Sequence, residues 1–446
     1  MTKEPIRIVL VGGGSYAWTP RIATDIMLEP ALAGCQLVIH DIDEAAQEEL
    51  ASYCRLVSER LGNRAEVITE SDLEEAVSGA DFVLLTISTG GLDAMAHDIE
   101  IPAKYGVMQS VGDTVGPGGL IRSLRNIPVV TDIALTVEDV APNAWFLNYT
   151  NPMSTLTRAI NARTFLHNVG LCHELFGLMS RVADVLDVDV DSMVPEVAGI
   201  NHLSWVFSLT SGDRDLLEEM QAYWEANKEQ MLRLDPEEVA KEPFRDRMII
   251  KLMLMDIYGC LATAGDRHVA EFFPYFLSEK ANHGLTYGVG LTTIAQRRAN
   301  LAKAQERVRY LINRPEEIPI KPSNEAASNI IASIVEGQET IHILNLPNRG
   351  QIDNLPREAI VETMGVVGPS GAKGITFGEL PEGIASVVRR HLENQEMTVE
   401  AAFTGDRNLA LQALINDPLM EGCSLSDAKK MLDELLRAHA EFLPQF

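Results

Sequence analysis

The 446 residues predict an α/β chain in which an N-terminal doubly wound parallel sheet is followed by a C-terminal α+β domain. Three observations carry this expectation. Over the first ~90 residues, runs rich in Val, Ile and Leu alternate with helix-compatible segments, the βαβ signature of a parallel sheet. The first of these runs ends in a glycine-rich turn. Between Trp145 and Trp205, three short apolar runs each stop at a polar cluster, and ligands gather beyond the carboxyl ends of strands in such sheets.

Ile6-Arg-Ile-Val-Leu-Val11 reads as the first strand and runs into Gly12-Gly-Gly14-Ser15-Tyr-Ala17. This fits G-x-G-x-x-A, the turn that lets backbone approach a pyrophosphate at a helix N-terminus; residues 21–28 supply the helix. A second strand, Gln36-Leu-Val-Ile-His40, ends at Asp41, 27 positions beyond Gly14. A Rossmann-type fold carries its ribose-binding acid at such a place, and an acid rather than an Arg selects NAD over NADP. Leu50, Cys54, Val57 and Leu61 form one helical stripe, and Val67-Ile68 and Asp81-Phe-Val-Leu-Leu-Thr-Ile87 add strands. Residues 88–119, rich in Gly, Pro and polar side chains, read as a long loop closing over the nicotinamide end. The helix after it places Arg122 and Arg125 on one face, as anion clamps or as surface ion-pair partners.

The three polar clusters are Asn148-Tyr-Thr-Asn151-Pro152, Cys172-His173-Glu174 and Asn201-His202. Read as ends of buried parallel strands, they deliver amides, a thiol, imidazoles and a carboxylate to one cleft. Cys172 and His202 are the candidate ligands of a divalent metal. Singly, each reads as well as a small buried hydrophobe or a hydrogen-bonding imidazole, and their separation of 30 residues matches no compact zinc motif. After Trp205 the chain is largely helical. Gly265-Asp266-Arg267-His268 is a second polar cluster between apolar runs, explained equally by turn chemistry. Residues 326–337 read as a core helix, 344–356 as turns and 359–364 as a strand. The last helix takes Ser424 or Ser426 as N-cap, with a stripe of Ala428, Met431, Leu432 and Leu435. A division near residue 170 separates a cofactor-binding domain, 1–170, from a metal- and substrate-binding domain, 171–446.

Composition narrows the classes. Hydrophobic residues make up 46% and charged residues 23%, an ordinary globular balance. No apolar run nears the ~18 residues of a membrane span, and the N-terminus lacks a signal-peptide layout, so a cytoplasmic protein is expected. Five scattered cysteines argue for reduced thiols. Lys plus Arg total 37 against 64 Asp plus Glu, a net −27 that repels nucleic acid and acidic membranes. A small anion can still be held by a local Arg or His.

The glycine turn, Asp41, Ile101-Pro-Ala-Lys-Tyr-Gly106, Gly116-Pro-Gly-Gly119, Asn148-Tyr-Thr-Asn151-Pro152, Cys172-His173-Glu174, Gly199-Ile-Asn201-His202 and Pro347-Asn-Arg-Gly-Gln together resemble glycoside hydrolase family 4. Its members are NAD- and Mn²⁺-dependent glycosidases sharing their fold with lactate and malate dehydrogenases, usually as dimers or tetramers. In that family, Asn or Asp after the Cys goes with 6-phosphoglycosidases and His with enzymes of unphosphorylated α-glycosides. Cys172-His173-Glu174 is most similar to the α-galacturonidase branch.

The resemblance implies oxidation at C3 of the sugar, which acidifies the C2 proton. A base then removes that proton, the C1 substituent leaves by elimination, water adds, and the hydride returns. This is an exception to the usual two-carboxylate route. The implied roles are Cys172 and His202 on the metal; Gly12, Gly14, Ser15 and Asp41 on NAD; and Asn151 and Asn148 on sugar hydroxyls or nicotinamide. His173 is expected to protonate the leaving oxygen; the family's Tyr base has no clear match near Tyr258–Asp266, and Asp266 is the first choice for the C2 base with Tyr258 behind it. Arg122, Arg125, Arg267 and His268 remain open as holders of a substrate carboxylate. The alternatives are an α-glucosidase or α-galactosidase of the same family, an NAD-dependent dehydrogenase of small hydroxy acids, and a non-catalytic NAD sensor.

Overall fold

The computed structural model describes residues 5–446 apart from residue 324. Its strands are β1 (Arg7–Val11), β2 (Gln36–His40), β3 (Glu66–Thr69), β4 (Phe82–Leu85), β5 (Trp145–Asn148), β6 (His167–Gly170), β7 (Met193–Ile200), β8 (Leu203–Ser211), β9 (Arg214–Asp215), β10 (Leu261–Ala262), β11 (Thr340–Pro347), β12 (Ile360–Gly368) and β13 (Gly371–Gly374). The first six lie side by side as β3-β2-β1-β4-β5-β6, every pair parallel. This is the doubly wound order, whose reversal falls between β1 and β4. Residues 8–11 of β1, 37–40 of β2 and all of β4 and β5 are buried, because helices cover both faces of a parallel sheet.

Beyond β6 the same sheet continues with opposite polarity. β11 pairs with β6 at Asn345–Gly170, and β12, β7, β8 and β10 follow, all antiparallel. The apolar run 197–200 is therefore not a parallel strand, as its burial suggested, but the end of one hairpin arm. Asn201 and His202 form the two-residue turn between β7 and β8, with His202 at a φ of 63°. A fully buried antiparallel arm and a parallel strand share the same unbroken hydrophobicity, so periodicity alone could not separate them.

Residues 88–119 also differ from expectation. Gly91–Lys104 is a helix, and a second helix, Gly116–Val140, begins inside the glycine-rich stretch. Between them, Val111 and Gly112 donate N–H bonds of 2.7 and 2.9 Å to the buried Glu271 carboxylate, so this segment is packed wall rather than a surface lid. Arg125 is neither a clamp nor a surface partner. Its guanidinium grips Asp98 through two bonds of 2.7 and 2.6 Å with both side chains fully buried, and its Nε donates to Thr89 O. Such a fork ties the helices Gly91–Lys104 and Gly116–Val140 together. The last helix, Leu425–Ala438, starts at Ser424, whose Oγ accepts from Asp427 N, and buries the expected stripe. Among the described residues, no helix is long and apolar enough to cross a membrane.

Candidate active site

At the switch between β1 and β4, the N–H groups of Gly12 and Gly13 both donate to His40 O, at 3.0 and 2.9 Å, pinning the turn against the end of β2. Gly14 N donates to Asp41 Oδ2 at 2.8 Å. A Cβ on Gly14 would fall 2.7 Å from that carboxylate, so the last glycine of the motif and the acid are matched. Ser15 N–H returns to Gly12 O, its Oγ accepts from Trp18 N, and the helix starts at Thr19.

The second half of the site gathers around the β7–β8 turn. The His202 ring is buried, and its Nδ1 lies 2.9 Å from Thr114 Oγ1. The His268 ring is tilted against it with centroids 3.9 Å apart. Asp113, His202 and His268 bring one ligand atom each within 4.8 Å of one another. Cys172, just past β6, lies beside Asn201 of the turn. Asn201 Nδ2 in turn donates to the buried Glu362 carboxylate of β12 at 3.2 Å, which also accepts from Asn345 Nδ2 and Ser204 Oγ. Beside this lies a cavity of about 240 Å³ lined by His173, Glu174, Lys251, Asp266, Arg267 and His268 among others.

Charges here are set by burial working against close neighbours. Burial, with His268 beside it, pulls His202 down to about 4, so the imidazole is neutral with a lone pair to offer. Burial, with Glu362 and Glu174 near, pushes the Cys172 thiol well above its ordinary range. Burial opposes the charge on Asp113, but His268, Arg122 and His202 outweigh it and bring it to about 2. Glu174 reaches about 2 in the same way, against burial, through His268, His202, His173 and the N–H of Gly265. Asp266 goes the other way: burial and then Asp246 raise it to about 7 despite Lys251. Its Oδ1 accepts from Lys251 N at 3.1 Å and its Oδ2 is buried without a partner. A carboxyl group poised near neutrality can both take and return a proton.

The structure brings together His173, Asp266, Arg267 and His268 at the cavity, with Cys172 and His202 beside it. It separates Tyr258. That residue ends the helix Ile249–Tyr258, whose other end meets Asp266, and ten residues of helix span roughly 15 Å. Its ring packs on Trp205 at 5.2 Å and Phe273 at 6.1 Å and does not line the cavity, so the second candidate for C2 base is a half-buried aromatic packed against the core. Asn148 is likewise internal. Its amide accepts from Thr150 N and donates to Thr157 Oγ1, holding the turn after β5 rather than facing a ligand. Asn151 keeps a buried Oδ1 without a partner, and its carbonyl accepts from Arg122 Nε at 3.0 Å.

His173 lies 3.8 Å from Glu174 Oε1 and 3.6 Å from Glu325 Oε1, its ring centroid 5.8 Å from that of Trp18. Arg267 Nη2 donates to Thr292 Oγ1 and Ser110 O, and its guanidinium lies 4.7 Å above the Phe244 ring. Among the described residues, no carboxylate comes within 4.0 Å of it, whereas Lys251 and Arg181 both pair with Asp246. Asp113, Thr114 and Glu362 escaped the sequence reading. Each was visible only as one polar residue in an ordinary turn or strand, and its partners lie far along the chain.

The model of the family 4 glycosyl hydrolases matches residues 7–188, and that of the family's C-terminal domain matches residues 197–420. The chain is 34% identical to an α-galacturonidase of Bacillus subtilis (strain 168), covering 98% of each chain. It is 34% identical to one of Thermoanaerobacterium saccharolyticum, covering 98% of this chain and 96% of that one. An α-galactosidase of Bacillus subtilis (strain 168) is 31% identical over 99% of each. Among solved structures, lplD of Bacillus subtilis superposes with a TM-score of 0.89 at 33% identity, covering 97% of this chain and 100% of that one. A 6-phospho-beta glucosidase of Thermotoga maritima, solved with manganese, NAD+ and glucose-6-phosphate, reaches 0.81 at 24% identity over 98% and 99%. The malate dehydrogenase of Plasmodium falciparum reaches 0.51 at 12% identity over 91% and 99%, a likeness of fold alone. With both halves matched and full-length relatives above 30% identity, the chain belongs to the family 4 glycosyl hydrolases.

Proposed function

We propose that this glycosidase cleaves unphosphorylated α-linked hexuronides, galacturonides first, with NAD and a divalent metal, Mn²⁺, as cofactors. The observation that carries the substrate is Arg267, a cavity cation with no carboxylate partner among the described residues, close to an acid–base carboxyl and two imidazoles. A C5 carboxylate is the partner it lacks. The α-galacturonidase relatives support the same sugar.

The residues present fit both cofactors. The Gly14 backbone, which a Cβ would block, and the Asp41 carboxylate at its rim suit a dinucleotide. A neutral His202, a thiol, and a buried His268 Nδ1 without a partner suit a metal. We assign Cys172 and His202 as its ligands, with Asp113 and His268 beside His202. When bound, NAD supplies a reversible hydride acceptor and the metal an electrophile for the sugar oxygens. Asp266 takes the C2 proton, His173 protonates the leaving oxygen, and Asn151 and Arg122 hold sugar hydroxyls. Residues 1–170 then form the cofactor half and 171–446 the metal and substrate half. We place the protein in the cytoplasm as a dimer or tetramer; all five cysteines are free, as a reducing compartment keeps them.

With NAD⁺ and Mn²⁺ present, kcat/KM for an aryl α-galacturonide should exceed that for the matching α-galactoside by about 10- to 100-fold. Comparable values would move the protein to the α-galactosidase or α-glucosidase branch.

A further inference from the structure

The three-residue group at the β7–β8 turn contains a bridge. The Thr114 hydroxyl donates to Asp113 Oδ1 at 2.9 Å, and the same Oγ1 lies 2.9 Å from His202 Nδ1. A hydroxyl has one proton. Once that proton goes to the carboxylate, Oγ1 can only accept, so His202 Nδ1 must be the N–H donor. The imidazole is then fixed as the Nδ1–H tautomer, and its lone pair is left on Nε2. Asp113, Thr114 and His202 thus form a carboxylate–hydroxyl–imidazole chain, which accounts for the closeness of Asp113 to His202 without a shared ion.

The glycine stretch explains how Thr114 reaches this place. A Cβ on Gly119 would sit 2.5 Å from the Thr114 carbonyl, so the first turn of the helix Gly116–Val140 closes onto Thr114 only because residue 119 is glycine. Gly119 N donates to Val115 O at 3.0 Å, holding the residues just after Thr114 in the same turn.

We propose that Thr114 is a positioning residue: its hydroxyl, backed by Asp113, holds the His202 ring so that Nε2 is presented to the divalent cation. This rests on the metal reading given above. Partners of this kind are worth about 10- to 100-fold in metal affinity. The test is Mn²⁺ binding to the full chain, followed by the electron paramagnetic resonance signal of free Mn²⁺, for wild type, Thr114→Ser, Thr114→Val and Thr114→Ala. Thr114→Ser keeps the hydroxyl and should bind within about threefold of wild type. Thr114→Val should bind about 10- to 100-fold more weakly. Thr114→Ala, which adds no methyl against the turn, should show the same loss and serves if the valine variant does not fold. Wild-type affinity in folded Thr114→Val or Thr114→Ala would overturn the inference and leave the metal reading standing. No saturable Mn²⁺ binding by wild type would overturn the metal reading and this inference with it.

Discussion

Cys172→Ser should fold and fail to turn over. The thiol lies on the segment after β6, outside the buried core clusters, and serine is nearly its size, so little packing is lost. What changes is the donor: thiolate is a soft, anionic ligand, and a hydroxyl of ordinary acidity does not replace it. A correctly placed Lewis acid contributes several kcal/mol to such a reaction. At about 1.4 kcal/mol per tenfold, kcat should fall by about 10³-fold or more at saturating NAD⁺ and Mn²⁺. Thermal unfolding should stay within a few degrees of wild type. Near-normal turnover by the variant would remove the thiol from the metal site and leave Asp113, His202 and His268 as its holders.

Arg267→Gln should collapse the preference for uronides. One or two charge-assisted hydrogen bonds to a desolvated carboxylate are worth about 1.5–3 kcal/mol each. Their loss corresponds to about 10- to 100-fold or more in kcat/KM for an α-galacturonide. Burial, with Arg297 nearby, lowers the guanidinium only to about 10, so it remains charged at neutral pH. Arg267 also donates to Ser110 O and Thr292 Oγ1, and a purely structural loss would slow every substrate. The α-galactoside is the control: its kcat/KM should change little, so the ratio of the two substrates should approach one. An equal loss on both would assign Arg267 to the cavity wall and reopen Arg122 as the holder of the carboxylate.

The part of the fold built from local signals could be read from the chain. Gly12, Gly14 and Asp41 belong to a strand–turn–helix–strand unit whose geometry is set within its own residues, so their placement followed from order and spacing. The last helix was readable for the same reason, with a serine cap and an apolar stripe on adjacent turns. The site itself is non-local. His268 meets His202 across the β7–β8 hairpin, and Asp113 arrives from a segment pinned by Glu271. Asn148 and Tyr258 show the converse. A polar or phenolic group near a predicted strand end or cluster reads as a ligand, but only the packed structure shows Asn148 closing its own turn and Tyr258 lying a helix length away. Arg122 and Arg125 had equal claims in the sequence, three residues apart on one helix. Asp98, far back along the chain, removes Arg125 from contention.

Oxidation and elimination within one active site are tested most directly by the fate of the C2 hydrogen. An α-galacturonide hydrolysed in D₂O with NAD⁺ and Mn²⁺ should release galacturonate carrying solvent deuterium at C2, with no accumulation of NADH. In the proposed mechanism Asp266 exchanges the proton it has taken before returning it, so the label should appear in product from the first turnovers. Product free of deuterium at C2 would contradict the account and favour direct displacement at C1.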